Sequence, residues 1–468
     1  MVRQYAQEVN ERVRLASQSG FPSSRSRHGV RLAMLAFDAV EYLKRTLPNG
    51  VRILVSEMPE TRSASLAVFV GAGSRMESRR DAGTSHFLEH MVFKGTAKRP
   101  TAADISMEIE SRGGVVNAAT DKEVTVFWTR VPARHWRVAL DVVADLILAP
   151  MLRDSDVESE KKVIVEELRM YRDQPQDRVH TLVDELLYPN HPLGWEVAGR
   201  EQVVLGMAAS QLRDFMDRGY APRKIVVALA GKVDANEVSD AIAELFAPIV
   251  DRKAPRLKPA PKPSKTRVKL LGKRTEQAHV CIGWRGVPQV HPDKYKLDML
   301  NAVLGEGMSS RLFLELREKR ALAYDVHSFS SNYLDAGHEV IYAGIAPDRI
   351  GEVVEAALAQ VALLRDQIVP ADELERVRDF NKGRLELRLE DTRGVSNWLA
   401  GQELFLDRVR TVEEVCDIID SVSAEDIQRA AQQYLRPDLA YVAAVGPRAA
   451  VATIRAPEGA EVVMEIAS

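Results

Sequence analysis

Residues 81–95 read DAGTSHFLEHMVFKG. On a helix, residues four apart stand one above the other on the same face, with Cβ atoms ~5–6 Å apart. His86 and His90 have that spacing. Two imidazoles so placed can grip one metal ion, since zinc–nitrogen bonds run ~2.0–2.1 Å. Glu89, three residues after His86, stays near the same face without having to ligate, which suits a base acting on a water held by the metal. The plain alternative is an exposed amphipathic helix with two solvated histidines. Phe87, Leu88, Met91, Val92 and Phe93 oppose it, because they make the stretch apolar nearly all round and predict a buried helix. Buried histidines and a buried glutamate need partners, and a metal would be one. Thr84 and Ser85 are both good caps, so the helix is predicted to start at one of them.

The 468 residues are too many for one ordinary core and predict two or more domains. Net charge is −3, from 64 basic against 67 acidic side chains, so there is no electrostatic case for nucleic acid or an anionic membrane. Cys281 and Cys416 stand far apart, which excludes a disulfide framework and a cysteine-based zinc site and makes a reducing compartment the default. No stretch approaches the ~20 apolar residues of a membrane span. The first 33 residues are rich in arginine (Arg3, Arg12, Arg14, Arg25, Arg27, Arg31) and serine, with Glu8 and Glu11 their only acids. That composition resembles a transit peptide and would place the protein in a mitochondrial matrix. The plainer reading, a disordered extension over 1–36 or a start at Met34, is preferred, and with it a cytoplasmic location.

Val51–Ser56, Ala64–Val70, Val115–Ala119 and Glu123–Arg130 read as strands, and Thr101 with Asp104 opens a helix to about Ser111. Ala133–Leu148 and Asp154–Arg172 read as long helices broken by Pro150, and Ile225–Leu229 and Asn236–Phe246 as a strand and a helix. Residues 251–265 then carry Pro255, Pro259, Pro261 and Pro263 among lysines and arginines, the composition of a semi-rigid solvated linker. The halves on either side look like copies. Ser210 leads through a helix to Tyr220, Pro222 and a strand; Ser423 leads through a helix to Tyr434, Pro437 and a strand. The boundaries are therefore 37–250 for a metal-binding lobe, 251–266 for the linker and 267–468 for a second lobe, as expected of a duplicated α+β domain whose lobes face each other across a cleft. The second lobe has no histidine where the metal helix would recur, at Tyr295–Asn301.

A catalytic zinc takes three protein ligands and keeps one position open. The glutamate-rich helix over residues 157–171 offers Glu160 and Glu167, seven apart on one face, whereas Glu158 and Glu166 fall on other sides. On spacing alone, a solvated acidic face is an equal alternative. Together these residues resemble the insulinase/pitrilysin family of zinc metallopeptidases, whose signature is H-x-x-E-H, and most of all its processing-peptidase branch. At that family's spacing after His90, with residues 91–166 between, stands Glu167. The resemblance runs from about Phe37 to Gly446. It implies two homologous lobes, each an antiparallel or mixed sheet flanked by helices. It also implies His86, His90 and Glu167 as ligands of one zinc ion, Glu89 as the base, and Glu160 as a catalytic helper that is not a primary ligand.

In the second lobe Arg317 and Tyr324 match the family's Arg/Tyr pair, which reaches across the closed cleft to the substrate. An arginine can bind a peptide carbonyl, and a tyrosine hydroxyl can donate to a developing oxyanion. Without the resemblance, Arg317 would read as one more solvated charge beside Glu315, Glu318, Lys319 and Arg320. Asn117 and Ala118 match the family's edge strand beside the metal, where an extended peptide can add to the sheet. The processing branch recognises basic residues through acids shortly after the third ligand. Asp177 falls suitably, but Thr181 stands where a second acid is expected. The resemblance thus implies a zinc-dependent endopeptidase that hydrolyses peptides or unfolded and presequence segments, in a homodimer, with a heterodimer as alternative. The competing reading is a non-catalytic assembly subunit of the same family, and it is opposed by the complete set of metal residues.

Overall fold

The structure, a computed structural model, describes residues 33–35, 40–455 and 460–466. The expected N-terminal extension lies outside the described residues except for β1 (Ala33–Leu35), which pairs antiparallel with β2 (Tyr42–Thr46). The first sheet continues with β3 (Arg52–Glu57), β4 (Ser63–Val70), β5 (Val115–Thr120), β6 (Thr125–Pro132) and β7 (Ile225–Gly231), in the order β1-β2-β3-β7-β4-β6-β5. The second sheet is built from β8 (Thr266–Gly272), β9 (Ala278–Gly286), β10 (Ala323–Asn332), β11 (Gly337–Ile345), β12 (Tyr441–Gly446) and β13 (Glu461–Ile466), in the order β10-β11-β9-β12-β8-β13.

The duplication is visible in the topology. The run β3-β7-β4-β6-β5 has its counterpart in β8-β12-β9-β11-β10, and only the first pair of each run is parallel. The fold is α+β, in two homologous lobes of mixed sheet and helix. Helix Lys294–Leu304 lies between β9 and β10 in the chain, as helix Thr84–Val92 lies between β4 and β5. The strands β5 and β10 are the matching free edges of the two sheets.

The linker boundary divides the sheets but not the layers that cover them. Helix Pro175–Leu187, from the first half, lays Val179, Leu182, Val183, Leu186 and Leu187 on Cys281, Val340, Tyr342, Ala443 and Val445 of the second sheet. In return, helix Thr392–Leu406 lays Val395, Leu399 and Ala400 on Leu54, Ala67, Phe69, Val226 and Ala228 of the first. With helices on both faces, β7 is buried at every position, and its sequence IVVALAG is accordingly an unbroken apolar run. The linker contains no helix or strand through Lys265, but it is tied down. Arg75 and His191 hold the carbonyl oxygen of Lys258, and Ala260 donates its N–H to Asp335 at 3.0 Å. The buried guanidinium of Arg75 also pairs with Glu123 of the first half and, at 2.6 Å, with Asp335 of the second.

Candidate functional site

Helix Thr84–Val92 presents its histidines from a buried base in which Phe87, Leu88, Met91 and Val92 are inaccessible. The helix starts at Thr84, as the sequence predicts, but the cap differs from expectation. The N-cap is Gly83 at φ 102°, a left-handed conformation that favours glycine, and neither Thr84 nor Ser85 caps through its side chain. A Cβ at Gly83 would stand 2.7 Å from the carbonyl oxygen of Ala198, so the close approach of segment 198–199 also requires glycine. Capping comes from outside the helix. The buried Glu77 carboxylate accepts from Gly83 N and Ser85 N at 2.7 Å each, and from the Ser85 hydroxyl. Burial pushes the Glu77 carboxyl up to about 7, against the pull of those donors.

From the neighbouring helix Asp154–Asp173, Glu160 and Glu167 reach the histidines. Glu167 Oε1 lies 3.7 Å from His86 Nε2, and Glu167 Oε2 lies 3.5 Å from His90 Nε2. The candidate ligand atoms of all three residues lie within 4.8 Å of one another. These separations are too long for hydrogen bonds, but two donors each ~2.0–2.1 Å from a tetrahedral zinc stand roughly 3.4 Å apart. The donor set of two imidazoles and a carboxylate also suits zinc, so the residues fit the ion. Glu160 behaves differently. Its Oε1 is 2.9 Å from His90 Nδ1, and its Oε2 is 2.5 Å from Lys94 Nζ. It fixes the ring of His90 from behind, as a carboxylate commonly does for a metal-binding histidine.

The electrostatics divide the two rings. Burial, then the neighbouring His90, pushes His86 down to about 4, leaving its imidazole neutral with a lone pair to give. Burial also acts to lower His90, but Glu160 and Glu167 outweigh it and the net shift is upward. Burial raises the Glu89 carboxyl, with Thr120 and His90 pulling it back, and Glu89 Oε2 is a buried oxygen without a partner among the described residues. A carboxyl raised above its usual range is suited to take a proton and return it.

These side chains line a cavity of about 530 Å³ whose other walls are Ala118–Thr120 of β5, Lys122, Tyr171, Trp195–Ala198 and the face Asp177, His180, Thr181, Asp184 of helix Pro175–Leu187. The edge position of β5 agrees with expectation. Asn117 is exposed, and its Oδ1 accepts from Ala118 N at 2.8 Å, covering a main-chain donor of the edge. Sequence reasoning missed several members of the site. Tyr171 donates its hydroxyl to Glu167 at 3.0 Å from one turn further along the same helix. Asp184, seven residues after Asp177, supplies an acid two turns along that face, where Thr181 supplies none; burial raises it to about 6. The i, i+4 and i, i+7 spacings could have pointed to both. Lys94, four residues after His90, carried the same i, i+4 signal, but Glu77 carried none.

The sequence model named Insulinase (Peptidase family M16) matches residues 52–201, and the Peptidase M16 inactive domain matches residues 207–380. An uncharacterized zinc protease of Bacillus subtilis, YmxG, is 36% identical over 396 residues, covering 84% of this chain and 96% of the relative. An uncharacterized zinc protease of Streptomyces coelicolor is 36% identical over 408 residues, covering 85% and 89%. The chain belongs to the M16, or insulinase, peptidase family. The fold agrees with a protease from Helicobacter pylori at TM-score 0.81 and 21% identity, over 88% of this chain and all of that one. A Pseudomonas fluorescens structure titled as a peptidase M16 inactive domain gives TM-score 0.80 at 18% identity, over 87% and 98%.

The first M16 match contains the whole metal cluster, and the second contains Arg317 and Tyr324. The structure brings this pair together but not to the cluster of His86, His90 and Glu167. Arg317 stands in a π-helical stretch, Phe313–Lys319, of the rare kind often found at functional positions. Its guanidinium lies over the rings of Phe313 at 4.9 Å and Tyr324 at 5.7 Å. Both residues are exposed, Tyr324 to 76%, and neither lines the metal cavity. Tyr324 lies at the very start of β10 and Arg317 in the π-helical stretch before it, whereas the part of β10 that comes near the cavity is further along, where the Phe329 ring stands 5.5 Å from that of His180.

Proposed function

We propose that this M16 chain is a zinc-dependent endopeptidase acting on peptides or unfolded segments. The observation that carries the reading is the convergence of His86, His90 and Glu167, with Glu89, whose Oε2 has no partner among the described residues, in the same cavity. Zinc held there would polarise a scissile carbonyl and lower the pKa of a water to ~7. Glu89 would take the proton of the attacking water and deliver it to the leaving amine nitrogen. Glu160 and Tyr171 would hold His90 and Glu167 in orientation, and the free edge of β5 at Asn117 and Ala118 would bind the substrate as an added strand. Arg317 and Tyr324 would grip it from the opposing edge once that edge approaches the cavity. We place the active species as a homodimer, with a heterodimer as the alternative, which sedimentation of the purified chain distinguishes.

The test combines zinc analysis with cleavage of a mixed peptide library read by mass spectrometry. The expected result is one zinc per chain and cleavage abolished by a chelator. Glu89→Gln should retain the zinc and lose activity by about 10²–10⁴-fold, the usual contribution of a general base. Wild-type protein that holds zinc but cleaves nothing would favour the non-catalytic subunit, and a fully active Glu89→Gln variant would overturn the role of Glu89.

A further inference from the structure

A second cavity, of about 520 Å³, adjoins the metal cavity across a shared wall of Trp195 and Glu196. Its charged lining is unlike that of its neighbour. Arg79, Arg172, Arg178, Arg200 and Lys269 face it, against the two carboxylates Glu185 and Glu196. Glu185 is already engaged, by Lys269 at 2.6 Å and by Arg178 at 3.6 Å. Arg172 is 3.8 Å from Glu201, too far for a hydrogen bond. Glu196 makes no ion pair among the described residues, and burial raises its carboxyl, with Arg172 and Arg178 pulling it back.

Two guanidinium groups remain without a carboxylate partner among the described residues, Arg79 and Arg200. Arg79 is held in place by other means. It donates to Asn190 Oδ1 at 2.7 Å, and its guanidinium lies over the Trp195 ring at 5.3 Å. Trp195 also lines the cavity of the histidine cluster, so Arg79 stands against a side chain that a polypeptide lying in that cavity would touch, and a side chain reaching past Trp195 would meet it. A planar cation fixed against an aromatic face loses little freedom when it takes a carboxylate in bidentate fashion.

We infer that this second cavity is a subsite that selects an acidic residue of the polypeptide, with Arg79 and Arg200 receiving its carboxylate. The inference rests on the endopeptidase reading and adds a side-chain preference to it. Recognition by the edge of β5 is through main chain and indifferent to sequence, so charge in the adjoining cavity would supply a selection that β5 does not.

The experiment uses synthetic peptide pairs that differ only in Glu against Gln, with that residue scanned across every position of one unstructured peptide. The expected result is one position at which the Glu peptide has the higher kcat/KM by roughly tenfold or more, the usual weight of a hydrogen-bonded charge. Arg79→Gln combined with Arg200→Gln should bring that ratio to near unity, while Arg79→Lys combined with Arg200→Lys should keep a part of it. An unchanged thermal melt would show that the variants are folded. A second arm measures binding of the same pairs to the Glu89→Gln protein by fluorescence anisotropy. The inference is overturned if no position prefers Glu in either arm, or if the preference survives loss of both arginines. Preferential binding of the Glu peptides without cleavage by wild-type protein would instead uphold the acidic subsite and remove the peptidase reading.

Discussion

At the scale of single residues, two glutamates seven apart on one helix have different work because of what faces them. Glu167 meets the Nε2 atoms of both histidines at distances suited to a shared ion, while Glu160 is consumed by His90 Nδ1 and Lys94. Glu167→Gln should therefore remove most of the bound zinc, as metal analysis of the dialysed protein would read. Glu160→Gln should keep the site but weaken it, by about 10–100-fold in zinc affinity, the usual effect of losing a carboxylate behind a metal-binding histidine. Competition with a chelating dye measures both, and equal losses in the two variants would contradict the division of roles. His86, Glu89 and His90 were legible because all three sit within one helical turn. Glu167, with Glu160, was legible only as a candidate equal in weight to a solvated acidic face until the family spacing singled it out.

At the scale of elements, the helix that carries both histidines is a short segment capped at its N-terminus by chain outside it. Its N-terminal donors, Gly83 N and Ser85 N, are satisfied by Glu77, a residue with no helical phase relation to the motif. Removing that carboxylate leaves buried N–H groups without a partner, at a cost of roughly 1–3 kcal/mol. Glu77→Ala should thus lower the urea midpoint of the metal-free protein and weaken zinc binding, although Glu77 is not among the cluster's ligand atoms. Unchanged zinc affinity in a measurably destabilised variant would show that the cap supports the fold without orienting the histidines. The strand and helix spans along the first half follow the sequence closely, including the capping box of Thr101 with Asp104. The misplaced cap has a simple origin: Thr84 and Ser85 have the right chemistry, but Glu77 and Gly83 had already taken the position.

At the scale of the whole molecule, the two halves are joined by exchange of covering helices and by buried charges at the junction. His338 on β11 sits there, fully enclosed, 3.2 Å from the hydroxyl of Tyr188, and burial followed by Lys122 and Arg285 pushes its imidazole down to about 3. A histidine whose folded pKa is depressed stays neutral in the fold while the unfolded chain takes up a proton from about pH 6.5 downward. Stability from this group is therefore complete above pH 6.5 and falls as the pH drops toward 3, by about 1.4 kcal/mol per pH unit within that window. Denaturant melts at pH 7.5 and pH 5.5 should show the wild-type protein losing its advantage over His338→Gln as the pH falls. A constant difference between the two would refute the placement of a neutral, buried histidine at the junction. The same junction carries the wall of the metal cavity, since His180 stacks on Tyr342 of the second sheet with ring centroids 5.1 Å apart.

The sequence by itself determined what depends on local spacing and repetition: the histidine pair with its glutamate, the alternation of strands and helices, the duplication and the change of composition between the copies. Helical phase and apolar periodicity act over a few residues, so they are written in order along the chain. Only the tertiary structure decided which helix covers which sheet, that Glu77 caps the metal helix, that Glu160 stands behind His90, and that a cationic cavity opens beside Trp195. It also left Arg317 and Tyr324 exposed, outside the cavity that holds His86, His90 and Glu167. Each of these depends on groups distant in sequence meeting at a few ångströms. Such meetings are fixed by the packing of apolar faces and the pairing of buried charges, which no local pattern records.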